Sequence, residues 1–194
     1  MPLTIVHVGD PILRQIARPL SRTEIGSSEI QHMIADMRET MRAAPGVGLA
    51  APQVSHSIQL VVIEDQATYH KDISPEQLAA RERRPLPFHV LINPEMVSRS
   101  EEKKEFFEGC LSLGGYSAIV ARAQSVKVNY LDKRGNPRSV EASGWYARIL
   151  QHEIDHLQGS LYIDCMQSRT FTSLDNLAQF SKTGPPADVL ADVE

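Results

Sequence analysis

The residues best suited to chemistry are His152, Glu153 and His156, which form the pattern H-E-x-x-H. On a helix, side chains four apart lie one above the other on the same face, so both imidazoles can reach one cation. Glu153 can then lie beside that ion without ligating it, where a general base for an attacking water is needed. A hydrolytic metal centre also needs a third protein ligand and one open position. The metzincin continuation fits at Gly159 but fails at Tyr162, where a histidine should stand. A thermolysin-like completion requires a downstream glutamate, and the sole glutamate after Glu153 is Glu194. No histidine follows His156. The third ligand is therefore expected upstream, unless an aspartate such as Asp164 supplies it.

Upstream, Glu108-Gly109-Cys110-Leu111-Ser112 offers a soft donor in Cys110. A thiolate with two imidazoles suits zinc or iron(II), and Gly109 allows close backbone approach. The two cysteines, Cys110 and Cys165, do not make a disulfide scaffold in 194 residues, so a reducing compartment is expected. Cys165 has no site-like neighbours and reads as a small buried hydrophobe.

These side chains need elements to position them. Residues 144–157 read as a helix with Leu150, Ile154 and Leu157 at helical spacing and Gly159 placed to end it. Two histidines on a helix buried on more than one face require polar partners. A second helix is expected over 28–43, with Ser28 and Gln31 as a capping box, an apolar set from Ile30 to Met41, and Pro45-Gly46 as its end. Residues 46–53 read as a small-residue loop. Strands are expected over 57–64 and 88–92, the second stopped by Asn93-Pro94, and a hairpin joins 126–131 to 138–142 across a turn at 132–137. Residues 66–87 read as a solvated insertion with a short helix around 76–82, and 101–105 as a charged, solvated turn. Apolar character returns over 106–113, and 184–194 read as a frayed tail. The resulting fold class is α+β: mixed or antiparallel sheets packed around the histidine-bearing helix, with a second helix near the N-terminus, in one domain over 1–194.

A net charge of −4 gives no electrostatic case for DNA, and 42% hydrophobic with 23% charged residues suits a folded core. No apolar run is long enough to cross a bilayer, so no membrane partner is expected. Residues 1–7 lack the layout of a secretory or transit segment, so the protein works where it is made or a targeting segment has been removed. Oligomeric state has no readable signature.

Three segments, GVGLAAPQ at 46–53, EGCLS at 108–112 and HEIDHLQG at 152–159, together resemble the signature motifs of peptide deformylase. The resemblance runs from Val8 to about Phe171, and the stretches around 144–151 and 169–171 are similar to the type 1A subgroup of mitochondria, plants and some bacteria. It implies a single catalytic domain that hydrolyses the N-formyl group from the formylmethionine of nascent peptides at the ribosome and releases formate. The implied setting is a bacterial cytoplasm or a mitochondrial or plastid matrix. The implied metal ligands are Cys110, His152 and His156, holding Fe2+, with Zn2+, Ni2+ or Co2+ able to replace it. Glu153 would carry the proton from water to the leaving amine, and Gln53 and the Leu111 backbone N–H would polarise the formyl oxygen. Val47, Gly48, Gly109 and Leu111 would lie near the peptide backbone, with Phe106, Trp145, Arg148 and Ile149 around the methionine side chain. Asp155 would support the fold through Arg122. Ser55 stands where the family usually has glycine, so a different loop geometry is expected there; Ser117 stands where an arginine contacts the peptide, and loss of that cation should weaken recognition beyond methionine. An H-E-x-x-H metallopeptidase and a non-catalytic metal-bearing module are the competing readings. The missing downstream ligand counts against the first; Glu153 and Gln53 count against the second.

Overall fold

A computed structural model describes residues 1–44 and 46–180; the expected tail at 184–194 lies outside them. In chain order the helices are α1 (Arg22–Ile25), α2 (Ser28–Ala43), α3 (Pro75–Ala80), α4 (Gly144–Leu157) and α5 (Leu174–Phe180). The strands are β1 (Gly48–Ala50), β2 (Leu60–Asp65), β3 (Leu86–Arg99), β4 (Lys103–Cys110), β5 (Leu113–Ala123), β6 (Ser125–Leu131), β7 (Pro137–Ser143) and β8 (Thr172–Ser173). They form a five-stranded sheet, β1-β2-β3-β6-β7, and a three-stranded sheet, β4-β5-β8. Each of these strand pairs is antiparallel. The architecture is α+β.

Strand β2 shows why the two long helices matter. All six of its residues are buried, so it lacks the alternation of a half-exposed strand. Leu60 and Val62 pack in one core with Ile34, Met37 and Met41 of α2. Val61 and Ile63, pointing the other way, pack in a second core with Leu150, Ile154 and Leu157 of α4. The sheet is thus covered on both faces, and α4 is held by apolar burial on the side away from its histidines. Gly159, at φ +71, turns the chain after α4 where a Cβ would lie 2.7 Å from the Arg14 carbonyl, a conformation glycine adopts without strain.

Several local expectations are corrected. The N-cap of α2 is Ser27, not Ser28: its Oγ accepts the Ile30 N–H at 3.3 Å, while Gln31 donates instead to the carbonyls of Ile25 and Lys133. Residues 46–53 are not a loop throughout, since they hold β1 and the start of a 3-10 turn over Ala51–Val54. Strand β3 runs straight past Asn93-Pro94. A register shift between Ile92 and Glu95 places Pro94 where the ladder is interrupted, so its missing N–H costs no pairing. Asn93 takes φ +49 there, and its side chain bridges the Leu20 N–H and C=O. The charged segment at 101–105 is a turn only at its start; Lys103, Lys104 and Glu105 are exposed positions of β4. Strand β5 was hidden by Gly114-Gly115 and exposed Tyr116 at one end and by a continuously buried run, Ser117–Val120, after them. Cys165 is exposed rather than buried.

Candidate metal centre

Two elements deliver the donors. Strand β4 ends at Cys110, and α4 presents His152 and His156 one turn apart, with ring centroids separated by 5.0 Å. One ligand atom from each of the three residues lies within 4.8 Å of the other two, and Cys110 Sγ is 3.3 Å from His156 Nε2. A soft thiolate and two imidazoles at such separations form a donor set for a divalent transition ion. Glu153 Oε2 and His156 Nδ1 are buried without a hydrogen-bond partner among the described residues, as expected where a ligand or solvent completes the site. Asp164 does not join the group. Its carboxylate pairs with Arg14 and accepts the Leu161 N–H at 2.8 Å, so that candidate third ligand is set aside.

The residue the sequence reading underused is Glu108. The register of β4 against β5 shifts between Glu108 and Cys110, and with alternation broken there both residues reach the cleft. The buried Glu108 carboxylate accepts from His152 Nδ1 at 3.1 Å, from Arg122 Nε and Nη2 at 3.0 Å each, and from Arg148 Nη1 at 2.5 Å. The first contact fixes the imidazole orientation and leaves the other ring nitrogen for an ion. Arg122 also pairs with Asp155, as the resemblance implied. Burial pushes Glu108 up, but His152 and Arg122 outweigh it and hold the carboxyl far below its ordinary range.

From the protein's own charges alone, the two imidazoles are driven apart. Burial presses His152 down, yet Cys110 and Glu108 outweigh it and raise its pKa well above the ordinary value. Burial, and then the positive charge of His152, drives His156 well below it. The same crowding of sulfur, carboxylate and imidazoles is an environment that would favour a bound cation. Glu153 is raised to about 7, chiefly by burial, so its carboxyl is poised to exchange a proton near neutrality.

The residues of 46–53 close on this centre. A Cβ built on Gly48 would lie 2.2 Å from Glu153 Oε1, and one on Gly46 would lie 2.8 Å from Leu111 Cδ1. Buried Gln53 accepts the Ala50 N–H through Oε1 at 2.9 Å. That contact aims its amide nitrogen at Ser112 Oγ (3.3 Å) and Cys110 Sγ (3.5 Å). Ser55 adopts φ +66, the left-handed conformation that glycine takes without strain.

A cleft of about 570 Å³ opens beside Cys110, His152 and Glu153. Val47, Gly48, Gly109 and Leu111 line it, as do Trp145, Arg148 and Ile149. Phe106 does not. Neighbouring residues of a strand face opposite ways, so Phe107 lines the cleft and Phe106 lies under the guanidiniums of Arg81 and Arg148, at 5.1 and 5.2 Å from its ring centroid. Arg148 reaches the cleft with its donors committed to Glu108 and to the carbonyls of Val120 and Lys104. Ser117 is buried and donates to the Glu108 carbonyl at 2.8 Å, so this position braces β4 against β5. Arg83, Tyr116 and Leu174 also line the cleft; no local pattern announced them, because they come from segments remote in sequence.

The profile of the polypeptide deformylase family matches residues 2–172. Peptide deformylase 1A, chloroplastic/mitochondrial, of Arabidopsis thaliana is 49% identical over 173 residues, covering 89% of this chain and 64% of that protein. The mitochondrial peptide deformylase of Homo sapiens is 41% identical over 170 residues, covering 88% of this chain and 70% of that protein. The chain thus spans a little under two thirds of the Arabidopsis relative. Among solved structures, a peptide deformylase from Synechococcus elongatus in complex with actinonin aligns with a TM-score of 0.73 and 39% identity, covering 87% of this chain and 80% of that one. A Met-Ala-Ser-bound peptide deformylase from Acinetobacter baumannii aligns with a TM-score of 0.75 and 34% identity, over 86% and 99% respectively.

Proposed function

Because the chain belongs to the polypeptide deformylase family, we propose that it hydrolyses the N-formyl group of formylmethionyl nascent peptides and releases formate, acting as a single catalytic domain. The observation that carries this reading is the convergence of Cys110, His152 and His156 beside Glu153 at the wall of one cleft. Those three residues would hold one divalent ion, Fe2+ in the native protein, with Zn2+, Ni2+ or Co2+ as substitutes. When bound, such an ion supplies Lewis acidity and makes water a competent nucleophile near neutral pH.

The protein's own groups do the rest. Glu153, buried and without a partner at Oε2 among the described residues, accepts the proton of the attacking water and returns it to the leaving amine. The Gln53 amide and the Leu111 N–H receive the negative charge that develops on the formyl oxygen, and the Gln53 amide is held in advance by Ala50. Glu108 keeps His152 in the orientation that presents one ring nitrogen for ligation. Val47, Gly48 and Gly109 offer a backbone edge to an extended peptide, the mode in which strand addition binds substrates. Trp145, Ile149 and Phe107, with Arg148, surround the first side chain. The setting proposed is a reducing compartment that hosts formylated initiation, a bacterial cytoplasm or an organelle matrix; no helix among the described residues is long and apolar enough to cross a membrane.

The test pairs metal analysis of anaerobically purified protein with formate release from formyl-Met-Ala-Ser, set beside casein cleavage. One equivalent of divalent metal and formate release without casein cleavage is the expected result. Casein cleavage alone would assign a peptidase, and product from neither substrate by metal-replete protein would assign a binding module.

A further inference from the structure

Residues 81–83 fall in the stretch whose composition reads as a solvated insertion, yet they are fastened to the start of α4. Gly144 makes the space: at φ +55, a Cβ there would lie 2.5 Å from Glu82 Cβ and 2.7 Å from the Arg81 carbonyl oxygen. That carbonyl accepts the Trp145 N–H at 2.8 Å. Glu82, itself at φ +49, accepts from Gln124 Nε2 at 2.5 Å and from Ser143 Oγ at 2.8 Å.

The next residue ties this segment to the core. The Arg83 side chain is 11% exposed and donates in parallel to both carboxylate oxygens of Asp65, at 2.8 and 3.0 Å; the Asp65 side chain is fully buried at the end of β2. Such a two-pronged pair fixes the plane of the guanidinium as well as its position. The guanidinium carbon of Arg83 stands 4.7 Å from the Trp145 ring centroid, and that of Arg81 stands 5.4 Å away. Arg83 and Trp145 both line the cleft that holds Cys110 and His152.

An indole at a cleft wall is free to change rotamer unless something holds its face, and desolvated cations over the ring do so. Resting on the deformylase reading above, we propose that Arg83, anchored by Asp65, is a positioning residue that fixes the Trp145 indole as a wall of the first-side-chain pocket. It thereby sets the preference for a long, flexible side chain over a short one. The segment acts through Trp145, because discrimination by size requires a wall that does not retreat to meet a smaller occupant.

Trp145 is the sole tryptophan of the chain, so its emission reports this wall without any catalytic readout. Metal-loaded wild type, Arg83→Met, Arg83→Lys and Asp65→Asn are compared on formyl-Met-Ala-Ser and formyl-Ala-Ala-Ser. Emission of the metal-free proteins is recorded with and without Met-Ala-Ser. Arg83→Met should raise KM for the methionyl substrate about tenfold, well beyond any change in kcat, and cut its advantage over the alanyl substrate by a similar factor. It should also shift Trp145 emission to the red. Lysine, which keeps the charge and loses the planar fork, should restore neither. Asp65→Asn, which shortens no side chain, should move selectivity and emission the same way, and it carries the test if the Arg83 variants fail to fold. Equal losses on both substrates, unchanged emission, or full rescue by lysine would overturn the proposal. If wild type releases formate from neither peptide, the deformylase reading is what fails, and the emission arm still decides whether Arg83 holds Trp145.

Discussion

Gly48 and Glu153 occupy adjoining volumes, and the 2.2 Å that would separate a Cβ at residue 48 from Glu153 Oε1 leaves no room for even one methyl group. Gly48→Ala should displace the Glu153 carboxylate and lower kcat about 100-fold, the scale of loss when a reacting group is misplaced by roughly an ångström. Metal content should stay unchanged, since Cys110, His152 and His156 are untouched; steady-state kinetics with metal analysis checks both, and near-normal kcat would show that Glu153 tolerates the shift. Two further substitutions separate roles. Glu153→Ala should nearly abolish turnover because it removes the proton carrier, whereas Gln53→Ala should reduce kcat about 10²–10³-fold by removing one aligned donor. Both should retain the metal, and loss of metal in either would reassign that residue to the binding of the ion. At this scale H-E-x-x-H was legible because helical geometry alone stacks the two histidines. Cys110 was legible as a soft donor and, through the motif resemblance, as the third ligand candidate; its distance to the histidines was not, since only the meeting of β4 with α4 brings its sulfur to them.

Elements were legible where one local signal dominated. Helices α2 and α4 carry long periodic patterns, and the β6–β7 hairpin carries turn residues between two alternating runs. Asp132 organises that turn. Burial pushes its carboxyl up, but the N–H groups of Asn136 and Arg134, at 3.0 and 2.9 Å, and the side chains of Asn136 and Arg138 outweigh this and hold it at about 2. Because the folded value lies below the ordinary 3.8, folding favours the ionised form. Its contribution is complete above about pH 4 and lost as pH falls through about 2. Asp132→Ala should therefore lower Tm at pH 7 and flatten the loss of stability between pH 4 and 2. Thermal melts at these pH values check it, and an unchanged acid slope would remove Asp132 from the pH response. Strands β3 and β5 were illegible in part because their rules are broken locally. A bulge absorbs Pro94, and two glycines with an exposed tyrosine disguise the entry to β5.

In the whole molecule, the two apolar cores on either face of β2 do not depend on a bound ion, whereas α4 and the end of β4 meet at buried charges. Arg122 and Arg148 face Glu108 and Asp155 there with little solvent between them. Removing the ion should leave the chain folded with its circular dichroism intact. Tm should drop, and readdition of Fe2+ or Zn2+ should restore it, with a gain in stability of about 4 kcal/mol when free metal exceeds its dissociation constant a thousandfold. Calorimetry with and without chelator checks this; a Tm indifferent to metal would argue against the Cys110–His152–His156 site.

By itself the sequence determined the chemistry on offer, the two long helices and the turn-defined hairpin, because donor type, helical period and turn residues are properties of neighbours along the chain. Only the tertiary structure decided that Cys110, rather than Asp164, lies with the two histidines, that Glu108 contacts His152, that Phe107 rather than Phe106 lines the cleft, and that 81–83 close on Trp145. Each of these depends on which remote segments meet, and that is set by burial of the β2 sheet between two helices, a sum over many contacts that no single stretch of residues carries.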